Sequence, residues 1–298
     1  MSLYPTMVFG TPNYCYMQSG YACYTPRLAA AAYITGTTYA EWDYSGALPG
    51  RWDDERYELT ECLVIWGKAP LESNPDGFFG HAVVDAMRRG MRIIQIDPRV
   101  NWLSARADIL LQLRSGTDTA LAMAMLDIII EEDLYDHDFV EQSTAGFDEF
   151  AAQVKEYTPA WAAKITDVPA ERIQELARAM AKAAPAASIE AGWRAVIDCS
   201  YQNSFETARA ASAVNALLGS YGAKGGALLT SSPKAGALSD ARFADPPKPA
   251  AKRVGNKEYP LALDSAGTNL AALKAALDGT IKGLFFYNSN AAKGYAQP

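Results

Sequence analysis

Cys62-Leu-Val-Ile-Trp-Gly67 and Met91-Arg-Ile-Ile-Gln-Ile96-Asp-Pro-Arg99 decide the fold. Each is a short apolar run that stops at a turn residue, the pattern of a strand buried on both faces in a parallel sheet. Between them, residues 77 to 89 place Phe79, Val83, Ala86 and Met87 at helical spacing, with Gly90 as a stop. Together they make one βαβ unit of about 35 residues, the usual size for a crossover. The predicted fold class is therefore α/β, a mostly parallel sheet flanked by helices.

The pattern continues downstream. A short strand is expected at Ile109 to Leu113, followed by the turn Arg114-Ser-Gly-Thr-Asp118. Leu121, Ala124, Met125, Ile128 and Ile129 then share one helix face, with Thr117 or Asp118 able to cap. Residues 136 to 183 read as helical, and Ile173, Leu176, Ala177 and Met180 form the clearest apolar face after Pro169. Ala187 to Ala191 is a candidate strand, and Phe205 to Leu218 a small-residue helix ended by Gly219. Ser231 to Pro260, rich in proline, lysine and alanine, reads as a connector. A helix from Leu270 to Leu277 and a closing strand at Leu284 follow. The expected organisation is one Rossmann-like domain over 1–235 and a connector with the start of a second α/β unit over 236–298.

At 298 residues, with 27 Lys plus Arg against 34 Asp plus Glu, the chain carries a net charge of −7. That acidity argues against nucleic acid or an anionic membrane as partner, since both need a basic face. Two histidines exclude a three-histidine zinc site. Cys15, Cys23, Cys62 and Cys199 show no C-x-x-C spacing, so no iron–sulfur cluster is expected in this chain. Met1 to Gly10 lacks a basic leader, and Asp127 breaks the longest apolar stretch. The chain reads as soluble, with the compartment, cytoplasm or periplasm, left open.

In a parallel sheet, ligands sit outside the carboxyl ends of the strands. Three loops qualify: Gly67-Lys-Ala-Pro70, Asp97-Pro-Arg99 and Ser115-Gly-Thr-Asp118. Gly67 would allow a close backbone approach, Asp97 or Asp118 would bind ribose hydroxyls or a guanine amine, and Arg99 a phosphate. The alternative is structural, with glycines serving turns and aspartates capping helices. G-x-G-x-x-G is absent after Trp66, against an NAD fingerprint. A second group is Gly10-Thr-Pro-Asn13 with Cys15, then Gly20-Tyr-Ala-Cys-Tyr-Thr-Pro-Arg27, where a thiolate beside a cation suits a redox-active metal. A buried cysteine acting as a small apolar side chain is the competing reading. His81 and His137 read as structural.

These pieces in order resemble the molybdopterin oxidoreductases, dimethyl sulfoxide reductase type. The markers are the strand ending in Gly67, Ile96-Asp-Pro-Arg99, Ala107-Asp108, Arg114-Ser-Gly-Thr-Asp118, Ile129-Ile-Glu-Glu132 with Leu134-Tyr-Asp136, Tyr157-Thr-Pro159, and Leu218-Gly-Ser-Tyr-Gly-Ala-Lys-Gly-Gly226. The resemblance implies a catalytic-subunit fragment performing two-electron redox, oxygen-atom transfer or hydroxyl chemistry at molybdenum or tungsten. Two molybdopterin guanine dinucleotides would hold the metal. Trp66, Gly67, Lys68, Asp97, Pro98, Arg99, Gly116, Asp118, Gly192 and Trp193 are the implied cofactor contacts. Cys23 is the implied metal ligand, with Cys15 as fallback, and Arg27 and Tyr24 stand beside it in the implied catalytic set. Ala69-Pro70 replaces the family's usual Asn-Pro, and Trp193-Arg194 its small or polar pair.

The same resemblance implies a 4Fe-4S cluster only in a missing N-terminal part, further domains of a parent chain, an iron–sulfur electron-transfer subunit and a small-molecule substrate as partners. The cut at Pro298 is expected to fall inside a second domain. Eight of the 16 tyrosines lie within the first 44 residues, which fits an aromatic, phenolic substrate pocket. The competing classes are a scaffold subunit without pterin and a dinucleotide dehydrogenase.

Overall fold

A computed structural model describes residues 11, 13, 25–37, 40–48, 50–51, 54–72, 79–190, 203–229, 252–258, 269–286 and 290. The chain divides into two compact units, one of residues 24–232 and one of 1–23 with 233–298.

The larger unit is organised by four parallel strands: β2 (Cys62–Trp66), β3 (Arg92–Ile96), β4 (Ile109–Leu111) and β5 (Ala187–Glu190). Their spatial order is β4-β3-β2-β5. The sheet thus grows one way from β2 through β3 to β4, then the chain returns to place β5 on the other side of β2. In open α/β sheets such a reversal is where ligand crevices form, here at the carboxyl ends of β2 and β5. Register is tight, with Trp66 opposite Ile96, and Ile65 opposite Glu190.

The alternation of side chains along a strand sorts β2 into two cores. Cys62, Val64 and Trp66 face one cluster, and Leu63 and Ile65 the other. On the first face lie α3 (Asp118–Glu131), α7 (Ala170–Ala183) and α8 (Ser204–Leu217). On the second lies α2 (Phe79–Arg88), which buries Ala82, Val83 and Ala86. Each fully buried Ile, Leu or Val contributes about 1.5–3 kcal/mol over its exposed state.

Before the sheet come α1 (Thr25–Thr35), which packs on α8, and β1 (Ala40–Trp42). β1 pairs antiparallel with β6 (Ala227–Leu229). Gly226 precedes β6, where a Cβ would overlap the Ser220 carbonyl oxygen and come within 2.8 Å of that of Pro185. The glycine-rich run Leu218 to Gly226 therefore has a steric cause. The helical stretch expected over 136–183 is four helices: α4 (His137–Ser143), α5 (Phe147–Val154), α6 (Pro159–Thr166) and α7. Asp136 caps α4 by accepting from the Phe139 N–H, and Thr158 caps α6 ahead of Pro159.

Two local expectations are corrected. Thr117 does not cap α3; its hydroxyl donates to the Arg114 carbonyl at 2.6 Å. Residues 282–286, expected to form a closing strand, are irregular, with Phe285 79% exposed. No strand of the described residues pairs with them, and an apolar run without a hydrogen-bonding partner has no reason to extend. In the smaller unit, α9 (Asn269–Leu277) is present, and the Val254 N–H donates to Asn13 Oδ1 at 2.8 Å. Among the described residues, no helix is long and apolar enough to cross a membrane.

Candidate functional site

The carboxyl edge of the sheet gathers the three loops chosen from the sequence. Gly67 takes φ +62°, which lets the chain turn sharply off β2 while its N–H donates to the Ile96 carbonyl at 2.7 Å. The Asp97 N–H donates to the Leu111 carbonyl at 3.1 Å, joining the end of β3 to that of β4. Gly116 supplies the second left-handed turn, at φ +86°, just before α3. Trp66, Gly67, Asp97, Pro98, Arg99, Gly116 and Asp118 thus lie along one edge.

Asp97 is 1% exposed. Its carboxylate accepts from the Arg99 backbone N–H at 2.9 Å and from the Arg99 guanidinium at 3.3 and 3.4 Å. The pair holds the Arg99 guanidinium above its ordinary pKa while leaving that side chain 65% exposed. A carboxylate offers about four lone-pair sites, so acceptor capacity remains. Asp118, at the N-terminus of α3, accepts from the Trp66 indole N–H at 2.8 Å. Burial raises its pKa, opposed by that bond and by backbone N–H donors of Gly116 and Asp118.

On the other side of β2, the structure assembles charges that the sequence reading did not group. Lys68 and Glu190 are buried together, with Nζ 3.8 Å from Oε1. The Lys68 ammonium also sits 3.8 Å from the centroid of the Phe79 ring, a cation–π contact. Arg27 Nη1 lies 3.4 Å from Glu41 Oε1. Burial and the nearby Glu190 charge push the Glu41 carboxyl up to about 7, against the pull of Arg27 and Lys68. Neither Glu190 oxygen accepts a hydrogen bond among the described residues.

Arg27 and Lys68, named from the sequence, therefore meet in one charged cluster. Glu41 and Glu190 were missed. Glu190 had a usable signal, an acid closing an apolar strand run as Asp97 does; Glu41, inside a tyrosine-rich stretch, had none. Cys15, Cys23, Tyr24, Gly192 and Trp193 lie outside the described residues. So do most of the early tyrosines, while Tyr33 is 71% exposed and Tyr44 stacks on Trp42. His81 is exposed on α2, and His137 pairs with Asp133 at 2.9 Å on the surface. Among the described residues, no group of three or more His, Cys, Asp or Glu could hold a metal. A cavity of about 1340 Å³ opens among the helices and touches this edge at Gly116 and Thr117. Its other walls mix apolar side chains such as Phe139, Phe147 and Trp161 with polar ones such as Gln153, Asn203 and Glu206, whereas the buried carboxylates Asp97 and Asp118 gather at the sheet edge.

The parallel sheet between its helices defines a Rossmann-like α/β domain, with Lys68 and Glu190 beside the switch point between β2 and β5, and Asp97 and Asp118 farther along the same edge, past β3 and β4. No family model matches the chain. It is 35% identical over 184 residues to the thiosulfate reductase molybdopterin-containing subunit of Salmonella typhimurium, covering 58% of this chain and 24% of that protein. It is 36% identical over 163 residues to formate dehydrogenase H of Escherichia coli, covering 55% and 22%. The solved structure of acetylene hydratase from Pelobacter acetylenicus superposes with TM-score 0.61 at 30% identity, covering 74% of this chain and 27% of the hydratase. Over more than half of its length the chain is similar to molybdopterin oxidoreductases, and it spans about a quarter of the length of the relatives it matches. These relatives are named as reductases, dehydrogenases and a hydratase, which disfavours both the scaffold and the dinucleotide-dehydrogenase readings.

Proposed function

We propose that this chain is part of the catalytic subunit of a molybdenum- or tungsten-dependent oxidoreductase that binds two molybdopterin guanine dinucleotides. The observation that carries the reading is the alignment of Gly67, Asp97, Arg99, Gly116 and Asp118 along one sheet edge. Two left-handed glycines, two inward carboxylates and one exposed guanidinium suit the guanosine end of one cofactor. Asp97 and Asp118 would accept from ribose hydroxyls or the guanine amine, and Arg99, steered by Asp97, would meet phosphate. Trp66 fixes Asp118 so that its remaining lone pairs point consistently. Lys68 and Pro98 complete the edge, and Gly192 and Trp193 are assigned to the second cofactor.

The cofactor supplies a metal centre able to change valence by two electrons. Cys23 is assigned as the ligand this chain contributes, with Tyr24 and Arg27 next to it in sequence. Arg27 is 3% exposed and is held toward Glu41, so it is a fixed positive charge rather than a mobile surface group. An iron–sulfur partner subunit, a 4Fe-4S cluster elsewhere in the protein and a small-molecule substrate, phenolic in one version, belong to the same proposal. The test is cofactor retention: Asp97→Ala, in protein isolated from its native source, should lose guanine dinucleotide on desalting while the wild type keeps it. Equal retention by both would remove Asp97 from the binding edge.

A further inference from the structure

The mixed-charge cluster beside β2 shares Lys68 with the proposed cofactor edge, but its carboxylates Glu41 and Glu190 have no part there, and its composition is unusual for an interior. Four groups meet: Arg27 from α1, Glu41 from β1, Lys68 from the loop after β2, and Glu190 at the end of β5. Tyr44, just after β1, is the fifth titratable group in reach of both carboxylates, and burial with their charges raises its pKa. Isolated buried ions are costly, so such a set persists only if the charges compensate one another.

They do so unequally. Glu190 is completely enclosed against the Lys68 ammonium, whereas Glu41 keeps 20% of its side chain exposed. The enclosed acid is the fixed charge, and the one with a water-facing edge is the one able to exchange a proton. With both carboxylates ionised the four groups sum to zero charge. With Glu41 neutral they carry one positive charge.

We propose that Glu41, coupled to Glu190 between Lys68 and Arg27, is a built-in proton store that balances charge appearing in the crevice. When a group in the crevice gains negative charge, a proton moves from solvent onto a Glu41 carboxylate oxygen. When that negative charge leaves, the proton returns to water through the exposed edge. The near-neutral pKa of Glu41 supports this arrangement. The store stands on the chain's own charges; its use in turnover rests on the function proposed above.

The test reads protonation directly. In protein labelled with 13C at the glutamate carboxyls, NMR across pH 4 to 9 should show one carboxyl titrating near 7, apart from ordinary glutamates near pH 4.3. The resonance should vanish in Glu41→Gln. Its midpoint should fall by roughly one unit or more in Glu190→Gln, which removes a like charge, and rise similarly in Lys68→Met. A wild-type spectrum with every glutamate in the ordinary range overturns the proposal, as does a near-neutral resonance that survives Glu41→Gln. If Glu41→Gln does not fold, the other two variants decide, and a midpoint unmoved in either contradicts the coupling. These outcomes do not depend on a bound cofactor, so they separate the proton store from the proposed function.

Discussion

Trp66 closes β2 and Asp118 opens α3, and the indole N–H of one donates to the buried carboxylate of the other at 2.8 Å. This bond ties the first strand of the sheet to the helix that starts beyond β4. The proposed cofactor edge is therefore held firmly where strand and helix meet.

Trp66→Phe keeps most of the apolar volume but removes the donor. Hydrogen bonds to charged groups are worth about 1.5–3 kcal/mol, so chemical denaturation should show a loss of that order. Asp118, already raised by burial, should titrate higher still. An unchanged denaturation midpoint would mean that water replaces the indole.

Asn215 gives a second stability test. Its side chain accepts from the Ile189 N–H at 2.8 Å and donates to the Ile189 carbonyl at 3.2 Å, filling the outer edge of β5. Asn215→Leu leaves the Ile189 N–H buried and unpaired, at about 1–3 kcal/mol, while the carbonyl keeps the Ser188 hydroxyl at 3.2 Å. Hydrogen exchange at Ile189 should accelerate along with the fall in stability.

Glu41 makes stability depend on pH. Its folded pKa, about 7, lies above the ordinary value of 4.5, so between those values the unfolded chain releases a proton that the folded one keeps. Stability is thus fully present below about 4.5 and falls as pH rises toward 7, by up to about 1.4 kcal/mol per unit. Denaturation curves at several pH values should show this decline in the wild type and a flatter profile in Glu41→Gln.

Cys62 should be inert. It is fully buried in β2, and burial raises its thiol to about 11. At pH 8 an alkylating reagent should modify it only as fast as the sheet opens, checked by mass spectrometry with and without denaturant. Rapid labelling of folded protein would contradict the packing of β2.

The first βαβ unit was legible because both periods are strong there: β2 and β3 are continuous apolar runs, and α2 repeats every three to four residues. The candidate loops at Gly67, Asp97 and Gly116 followed from where those strands end, and the structure brings them to one edge of the sheet. The place of β5 beside β2 was not legible, since pairing across more than a hundred intervening residues leaves no local mark. Leu284 misled for a related reason, because an apolar run reports burial potential and not the presence of a partner strand. The charge cluster was half visible: Arg27 and Lys68 stood out as cations near candidate loops, but their acidic partners Glu41 and Glu190 lie far apart in sequence and meet only through the fold. Glu190 closes its strand as Asp97 does, yet nothing in the run Ala187 to Glu190 marks it as facing a lysine.

Cys23 is the residue on which the proposed chemistry turns. Cys23→Ala should leave pterin bound and abolish turnover; normal activity in that variant would move the metal ligand elsewhere.

The most direct measurement is metal and pterin analysis of the protein purified anaerobically from its native source. The account predicts molybdenum or tungsten with two molybdopterin guanine dinucleotides for each copy of this chain. A preparation free of both metal and pterin would contradict it.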